Sequence, residues 1–178
     1  MPIPKKAEQR HAGFSILELL IVVGIIIIVA AIAIPSLLRA RAAANEASAV
    51  QSLRAINSAQ IGYLQVYPDL GTYACQLSFL GPPLGSTPVN STAADLIDEQ
   101  LSGGIKSGYN FYMNCTPPAN DGSTGYEVKS APLGEVITGT TCGTDNGRCF
   151  YTSYHGTLYI LKGSGSSYGT AFNLVPLS

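Results

Sequence analysis

The chain has 178 residues, of which 46% are hydrophobic and 12% are charged, and its formal net charge is -1. This composition excludes an intrinsically disordered chain, and it disfavours binding to nucleic acid through neutralised phosphates, so no nucleic-acid partner is expected. The chain has only two His, which leaves little material for acid–base catalysis near neutral pH. We therefore expect neither an enzyme nor a cofactor.

The first 13 residues, MPIPKKAEQRHAG, form a short basic segment. This segment contains three basic residues and one acidic residue: Lys5, Lys6, Arg10 and Glu8. Basic residues beside an apolar segment stay on the cytoplasmic side of a membrane. We expect the N-terminus to remain inside and the chain beyond Pro35 to lie outside.

An apolar segment follows directly. From Leu19 to Ile34 no side chain carries a charge or a hydrogen-bonding group, and from Phe14 to Leu38 the only charged residue is Glu18. This length is sufficient to cross a hydrocarbon core of about 30 Å. A buried helix of a soluble domain is disfavoured because the rest of the chain is too rich in Gly and Ser to cover it. Inside a membrane a carboxylate costs about 2.5–3.5 kcal/mol, which makes Glu18 a functional candidate.

The row Gly13-Phe14-Ser-Ile-Leu-Glu18, followed by the apolar run, resembles the class III signal of type IV pilins and type II secretion pseudopilins. A basic leader ends in Gly13, an aromatic residue follows it, and Glu18 is the fifth residue after the junction. The apolar run comes after the junction, whereas in an ordinary secretory signal it comes before the cut. The resemblance extends from Lys5 to about Tyr67.

This resemblance implies a processing and assembly pathway. A membrane-embedded prepilin peptidase would remove residues 1–13 by cutting between Gly13 and Phe14, and would methylate the new amine of Phe14. An inner-membrane assembly platform would then add the subunit to a helical filament of identical copies. The implied location is the inner membrane for the precursor, and an extracellular pilus or a periplasmic pseudopilus for the product.

The new amine on Phe14 would lie one helical turn from Glu18, and an apolar environment penalises both charges unless they are paired. Two arrangements satisfy them: a pair within one chain, or a pair between Glu18 and the amine of a neighbouring subunit. The family resemblance favours the second. In the same family, Pro35 with the nearby Gly24 would mark a place where the helix unwinds in the filament; a simple bend at Pro35 is the alternative.

Residues 39–67 are expected to continue the helix, because they are rich in Ala, Leu, Arg and Gln and lack Pro. Leu53, Ile56, Gln60 and Leu64 recur at spacings of three and four with Ala49 and Val50 one turn earlier, whereas Arg54, Asn57 and Ser58 fall elsewhere on the helical wheel. A helix from Phe14 to about Val66 would be roughly 80 Å long. Arg39 and Arg41 are expected to be solvated at the outer interface, and an inter-subunit pair with Glu46 is the alternative.

Residues 68–178 are rich in Gly, Ser, Thr, Pro and Tyr, which predicts a turn-rich β domain. A capping signal at Thr92 predicts a short helix over Ala93–Leu101, and His155-Gly156 predicts a hairpin turn. The predicted strands are Tyr109–Asn114, Gly125–Ser130, Arg148–Tyr154, Thr157–Lys162 and Ala171–Val175. The expected fold class is therefore α+β, with the apolar half of the helix at 14–38, its amphipathic half at 39–67, and an antiparallel sheet in the C-terminal domain, as in the pilin fold.

All four cysteines follow the apolar segment, on the oxidising side of the membrane, and no C-x2-C pair supports a zinc site. Three pairings are possible, and we favour Cys75–Cys115 and Cys142–Cys149, because an Asn-Gly turn lies between the second two. Major pseudopilins often bind calcium near this region, but Ser153 stands where an acidic ligand would be expected, and Asp145 with Asn146 does not make an oxygen cage. No metal is expected.

These features favour a structural subunit that polymerises through its N-terminal helix into a type IV pilus for adhesion, motility or related surface functions. A major-type pseudopilin of a type II secretion system is the alternative. A membrane-anchored binding module or enzyme is disfavoured, because an anchor needs neither the Gly13-Phe14 junction nor an amphipathic second half.

Overall fold

The structure is a computed structural model that describes residues 14–116, 125–134, 148–161 and 175–176. The leader, Cys142, Asp145, Asn146 and most of the strand expected at Ala171–Val175 lie outside the described residues. The chain divides into two compact units, Met1–Arg41 and Ala42–Ser178, and each is considered by itself below.

The long helix α1 runs from Ile16 to Val66. It begins two residues after Phe14 and ends where the sequence predicts, because Pro68 cannot continue the ladder of backbone hydrogen bonds. The last turn is closed by the amide of Tyr67, which donates to Tyr63 O over 2.9 Å. A single 3₁₀ turn, Pro68–Leu70, follows, and Gly71 terminates it in the left-handed conformation with φ of 61°.

In the described residues, six antiparallel strands form one sheet in which each strand pairs with the next along the chain. The strands are β1 (Ile105–Lys106), β2 (Tyr109–Thr116), β3 (Gly125–Pro132), β4 (Cys149–Ser153), β5 (Leu158–Leu161) and β6 (Val175–Pro176). Ser107 and Gly108 both have positive φ between β1 and β2, as a two-residue hairpin with right-handed strand twist requires. The predicted hairpin at His155-Gly156 is confirmed, and there Gly156 N donates to Ser153 O over 2.8 Å.

The helix expected over Ala93–Leu101 is wrong in its extent. Only α3 (Glu99–Ser102) is helical, and its cap is Asp98, whose Oδ1 accepts from Leu101 N. The amides from Ala94 to Ile97 are not available for a helix, because they donate to the carbonyls of Phe79, Leu80 and Gly81. Thr92 instead donates its amide and its hydroxyl to Asn90 Oδ1. The segment that accepts these bonds includes α2 (Leu77–Leu80), a one-turn helix that the sequence did not indicate.

The core of the C-terminal unit lies between α1 and the sheet. Ala49, Leu53, Ile56 and Gln60 are buried on α1, as the helical periodicity predicts, whereas Leu64 is only half-buried. The periodicity did not identify three further buried residues on this face, Ser52, Ala59 and Tyr63. They pack in one cluster with apolar side chains of the sheet, which include Tyr109, Phe111, Met113, Tyr126, Val128 and Phe150.

The helical periodicity predicts that Asn57 lies outside the buried face of α1. In the structure Asn57 is half-buried, and its side chain forms hydrogen bonds between the helix and the sheet. Its Nδ2 donates to Thr152 Oγ1 over 2.9 Å, and its Oδ1 accepts from the hydroxyl of Tyr126 over 2.9 Å. Burial raises the pKa of Tyr126 to about 12, so the tyrosine remains a neutral donor at physiological pH. Asn57 therefore fixes the register of α1 against β3 and β4.

Gln60 is completely buried and satisfies both backbone polar groups of Ala74. Its Nε2 donates to Ala74 O over 2.8 Å, and its Oε1 accepts from Ala74 N over 3.0 Å. The same Nε2 lies 3.1 Å from the sulfur of Met113. Buried backbone groups without a hydrogen-bond partner are unfavourable. The side-chain amide of Gln60 therefore provides the two hydrogen bonds that a neighbouring strand would otherwise provide to Ala74.

We expect Gln60→Leu to lower the free energy of unfolding by about 2–4 kcal/mol, because the amide and carbonyl of Ala74 both lose their partner in a buried place. Gln65→Leu, an exposed site on the same helix, is the matched control and should change stability by less than about 0.5 kcal/mol. Denaturant unfolding of the full chain in detergent micelles, followed by near-UV circular dichroism, measures both. Equal losses in the two variants would contradict the role assigned to Gln60.

Unlike the buried side chain of Gln60, the buried hydroxyl of Ser130 has no hydrogen-bond partner among the described residues. In the sheet register Ser130 lies between Phe111 and Phe150, which are both buried. An unpaired hydroxyl in such a place costs free energy that an apolar side chain would not.

We therefore predict that Ser130→Ala raises the free energy of unfolding by about 1 kcal/mol. Thr152→Val is the contrasting variant, since the Thr152 hydroxyl is bonded to Asn57 and Thr157 and its loss should destabilise the protein by about 1–2 kcal/mol. The same unfolding experiment applies. A destabilised Ser130→Ala would mean that the hydroxyl does have a partner.

Candidate assembly site

The first unit presents an apolar helical surface that the described chain does not cover. Every side chain from Phe14 to Leu38 is exposed except that of Ala30, which is half-exposed. Within the described residues, α1 is the one helix long and apolar enough to cross a membrane, by length and composition. A contiguous apolar surface of this size is unusual for a soluble monomer and indicates contact with lipid or with protein.

Glu18 lies in the first turn of α1, and Phe14 precedes the helix, which begins at Ile16. Near this end Leu19 N donates to Ser15 O over 3.2 Å. A carboxylate in the first turn is favoured by the helix dipole. In the part of the chain that the structure describes, no ion pair involves Glu18. Whether its partner is the amine of Phe14, in the same chain or in a neighbour, therefore stays a prediction.

Gly24 and Pro35 both lie inside α1, and the helix is continuous at both positions in the single chain. A Cβ added at Gly24 would meet no atom within 4 Å, so the single chain does not need a glycine there. In a helix interior, glycine costs about 1 kcal/mol and proline about 3 kcal/mol relative to alanine. These two residues therefore weaken α1, and among the described residues no steric contact requires the glycine at position 24.

Of the charged residues that follow the apolar half of α1, Glu46 has an ion-pair partner, whereas Arg39 and Arg41 have none among the described residues. Glu46 pairs with Arg148 of its own chain over 3.3 Å, whereas Arg39 and Arg41 are exposed and have no ion-pair partner in the described ranges. The guanidinium of Arg148 is mostly solvated, so the pair itself adds less than about 1 kcal/mol. Glu46 is thus occupied within the subunit, which weakens the alternative that it pairs with Arg39 or Arg41 of another copy.

Tyr109 lies beside this ion pair and donates its hydroxyl to Arg148 O over 3.1 Å. Burial, together with the weaker effect of the Glu46 carboxylate and against the opposing effect of Arg148, raises the pKa of Tyr109 to about 12. The tyrosine therefore stays neutral and continues to hold the start of β4 at any physiological pH.

A disulfide joins Cys75 to Cys115 across 40 positions of sequence, as predicted. It ties the connection after α1 to β2, beside the Gln60 bonds, and closing a loop of this length is worth about 4 kcal/mol in the chain-entropy model. Cys149 is also disulfide-bonded, and its expected partner Cys142 lies outside the described residues. One of the two predicted pairings is confirmed.

The described residues contain no group of three or more His, Cys, Asp and Glu that could hold a metal ion. Asp145 and Asn146, the weak calcium candidates, are not among those residues. Ser153 is buried at the end of β4, and His155 is exposed and stacks on Tyr154 with ring centroids 4.0 Å apart.

Sequence reasoning missed most of the polar residues that fix the second half of α1. Gln60 lay on the predicted buried face but had no assigned role, and Tyr63, which donates to Ser91 O over 2.7 Å, was not singled out. A polar side chain at a core position of an amphipathic helix is the signal that could have found both, because such a group requires a specific partner.

One known protein is similar in sequence to part of this chain. The type IV major pilin protein PilA of Myxococcus xanthus strain DK1622 is 36% identical over 72 residues, which is 40% of this chain and 33% of that protein. The chain thus aligns with about a third of the length of this relative. No family model and no solved structure matches. The match confirms the resemblance to type IV pilins, and the long helix followed by an antiparallel sheet is a pilin-like α+β arrangement.

Proposed function

We propose that this pilin-like structural protein polymerises through the apolar half of α1 into a type IV pilus filament. The observation that carries the proposal is the exposed apolar surface from Phe14 to Leu38, on the same helix whose second half is packed in the core of the C-terminal unit. A simple membrane anchor would need only the first half. Copies of the same helix are the natural cover for that surface once the subunit leaves the lipid.

Removal of residues 1–13 is the step that would permit assembly. The leader holds Lys5, Lys6 and Arg10, and these charges keep the N-terminus at the cytoplasmic surface. A cut between Gly13 and Phe14, followed by methylation, removes them and leaves one amine on Phe14. The helix can then exchange lipid contacts for helix contacts at little hydrophobic cost.

Glu18 would pair with the amine of Phe14 from a neighbouring subunit. The resemblance to type IV pilins favours a pair between neighbouring copies over a pair within one chain. In a bundle of apolar helices each charge would be buried, and the pair is then the arrangement that avoids two unpaired charges. Such a pair would also set the axial register of neighbouring copies.

Gly24 and Pro35 would supply the place where α1 opens inside the filament. Both residues are unfavourable in a helix interior, and at Gly24 an added Cβ would meet no atom within 4 Å in the single chain. Local opening of the helix between them would let the apolar halves of many copies pack at one density while the C-terminal units keep their own spacing.

We predict that Gly13→Val leaves the chain inserted but unassembled, because the β-branched side chain obstructs the site that the peptidase must accommodate. The retained product should be about 13 residues longer than the mature form. Membrane fractionation and intact-mass spectrometry are the measurements, and Ala7→Val, the same type of change far from the cut, is the control. Filaments built from uncut chains would overturn the pathway.

We predict that Glu18→Ala reduces filaments by more than about 100-fold, because loss of one partner of a buried pair costs about 3 kcal/mol or more. Glu99→Ala, an exposed carboxylate of the second unit, should leave the filament number unchanged. Electron microscopy and immunoblotting of sheared filaments measure assembly, and membrane fractions confirm that both variants are inserted. Wild-type assembly of Glu18→Ala would show that the pair is not required.

A further inference from the structure

The charged residues that bound the apolar half of α1 are separated by a distance that matches a membrane. No charged residue lies between Glu18 and Arg39, which are 21 positions apart, and α1 is helical over the whole interval. At 1.5 Å per residue the two positions are roughly 31 Å apart along the helix. The hydrocarbon core of a bilayer is about 30 Å thick, and an ordinary tilt of about 20° absorbs the difference.

The two arginines that follow the apolar half of α1 are positioned to bind lipid phosphates. Arg39 and Arg41 are separated by two positions, which puts them about 200° apart around a helix, on opposite sides. Both are exposed and lack an ion-pair partner in the part of the chain that the structure describes. One protein face could not receive both, whereas phosphates surround a membrane helix and bind guanidinium groups with two hydrogen bonds.

We propose that the unassembled subunit has a fixed register in the bilayer, with Glu18 at one hydrocarbon boundary, Arg39 and Arg41 on the lipid phosphates of the other, and Ile28 at the midplane. This inference rests on the proposed membrane insertion of α1 and adds the position of each end. Within this register the Glu18 carboxylate is hydrated in the membrane form. It loses its water only when the subunit enters a bundle of helices, so the need for a partner arises at assembly.

The register also places the processing site. Phe14 precedes Glu18 by four residues, about 6 Å along a helix, so the Gly13-Phe14 bond lies in the headgroup zone, outside the hydrocarbon. The competing register has Phe14 at the boundary and Glu18 inside the hydrocarbon. A span of about 20 residues from Phe14 would then have its midplane near Gly24.

Tryptophan scanning tests the register, because the chain has no Trp of its own. Single substitutions are made in the uncut full-length chain at positions on both sides of the expected midplane: Val22→Trp, Ile25→Trp, Ile28→Trp, Ala31→Trp and Ile34→Trp. Each protein is reconstituted in phosphatidylcholine–phosphatidylglycerol vesicles with brominated acyl chains, and quenching of its fluorescence by bromine near the bilayer centre is measured. We expect maximal quenching at Ile28, falling on both sides.

Two charge variants show which groups set the register. The carboxylate is moved one turn inward by Glu18→Leu with Val22→Glu, and this variant is scanned at the four remaining Trp positions. The maximum should shift by about two residues towards Ile34, half of the four-residue displacement. Arg39→Leu with Arg41→Leu should shift it in the same direction. Arg54→Leu, an exposed arginine of the second unit, is the control and should leave the maximum in place.

The outcomes separate this inference from the proposed function. Maximal quenching near Gly24, or a maximum that neither charge variant moves, would overturn the register while leaving the membrane span intact. Absence of quenching at all five positions would overturn the proposed insertion itself, and the register with it.

Discussion

The constraint on which the rest of this protein depends is an apolar helical surface that its own described residues do not cover. Except for Ala30, which is half-exposed, the side chains from Phe14 to Leu38 are exposed, and contact between so much apolar surface and water is unfavourable. Contact with lipid and contact with other copies of the helix bury this apolar surface at almost the same free energy. The apolar side chains therefore do not favour a membrane over a filament. In the proposed pathway that choice would fall to the few charged groups at the ends of the segment, Glu18 and the arginines.

The second half of α1 follows a different rule, because it must bind one sheet in one register. Apolar contacts such as those of Leu53 and Ile56 are tolerant of small shifts, whereas hydrogen bonds are not. Gln60 and Asn57 supply such bonds to Ala74, Thr152 and Tyr126, and the disulfide at Cys75 secures the same region. The polar groups therefore give specificity to a contact whose free energy comes mainly from apolar burial.

Gly24 and Pro35 lower the stability of the apolar half of α1. A helix meant only to span a membrane would be more stable with alanine at either position, and the single chain shows no steric need for the glycine. Residues that lower the stability of one state without a return there indicate a second state in which they are useful. In the proposed filament that state is an opened stretch of α1.

The sequence by itself determined the features that depend on neighbours along the chain. The apolar run, the end of α1 before Pro68, the buried positions Leu53 and Ile56 and the Cys75–Cys115 bond all agree with it. Tertiary structure decided what depends on groups far apart in sequence. The amides after Thr92 donate to Phe79, Leu80 and Gly81 and so prevent the longer helix that local capping predicts. The pairing of Glu46 with Arg148 arises only when the sheet packs on α1. The Ser130 hydroxyl has no partner among the described residues only because the sheet places it between two phenylalanines. Periodicity assigns a residue to a face but does not identify the atoms that it meets there.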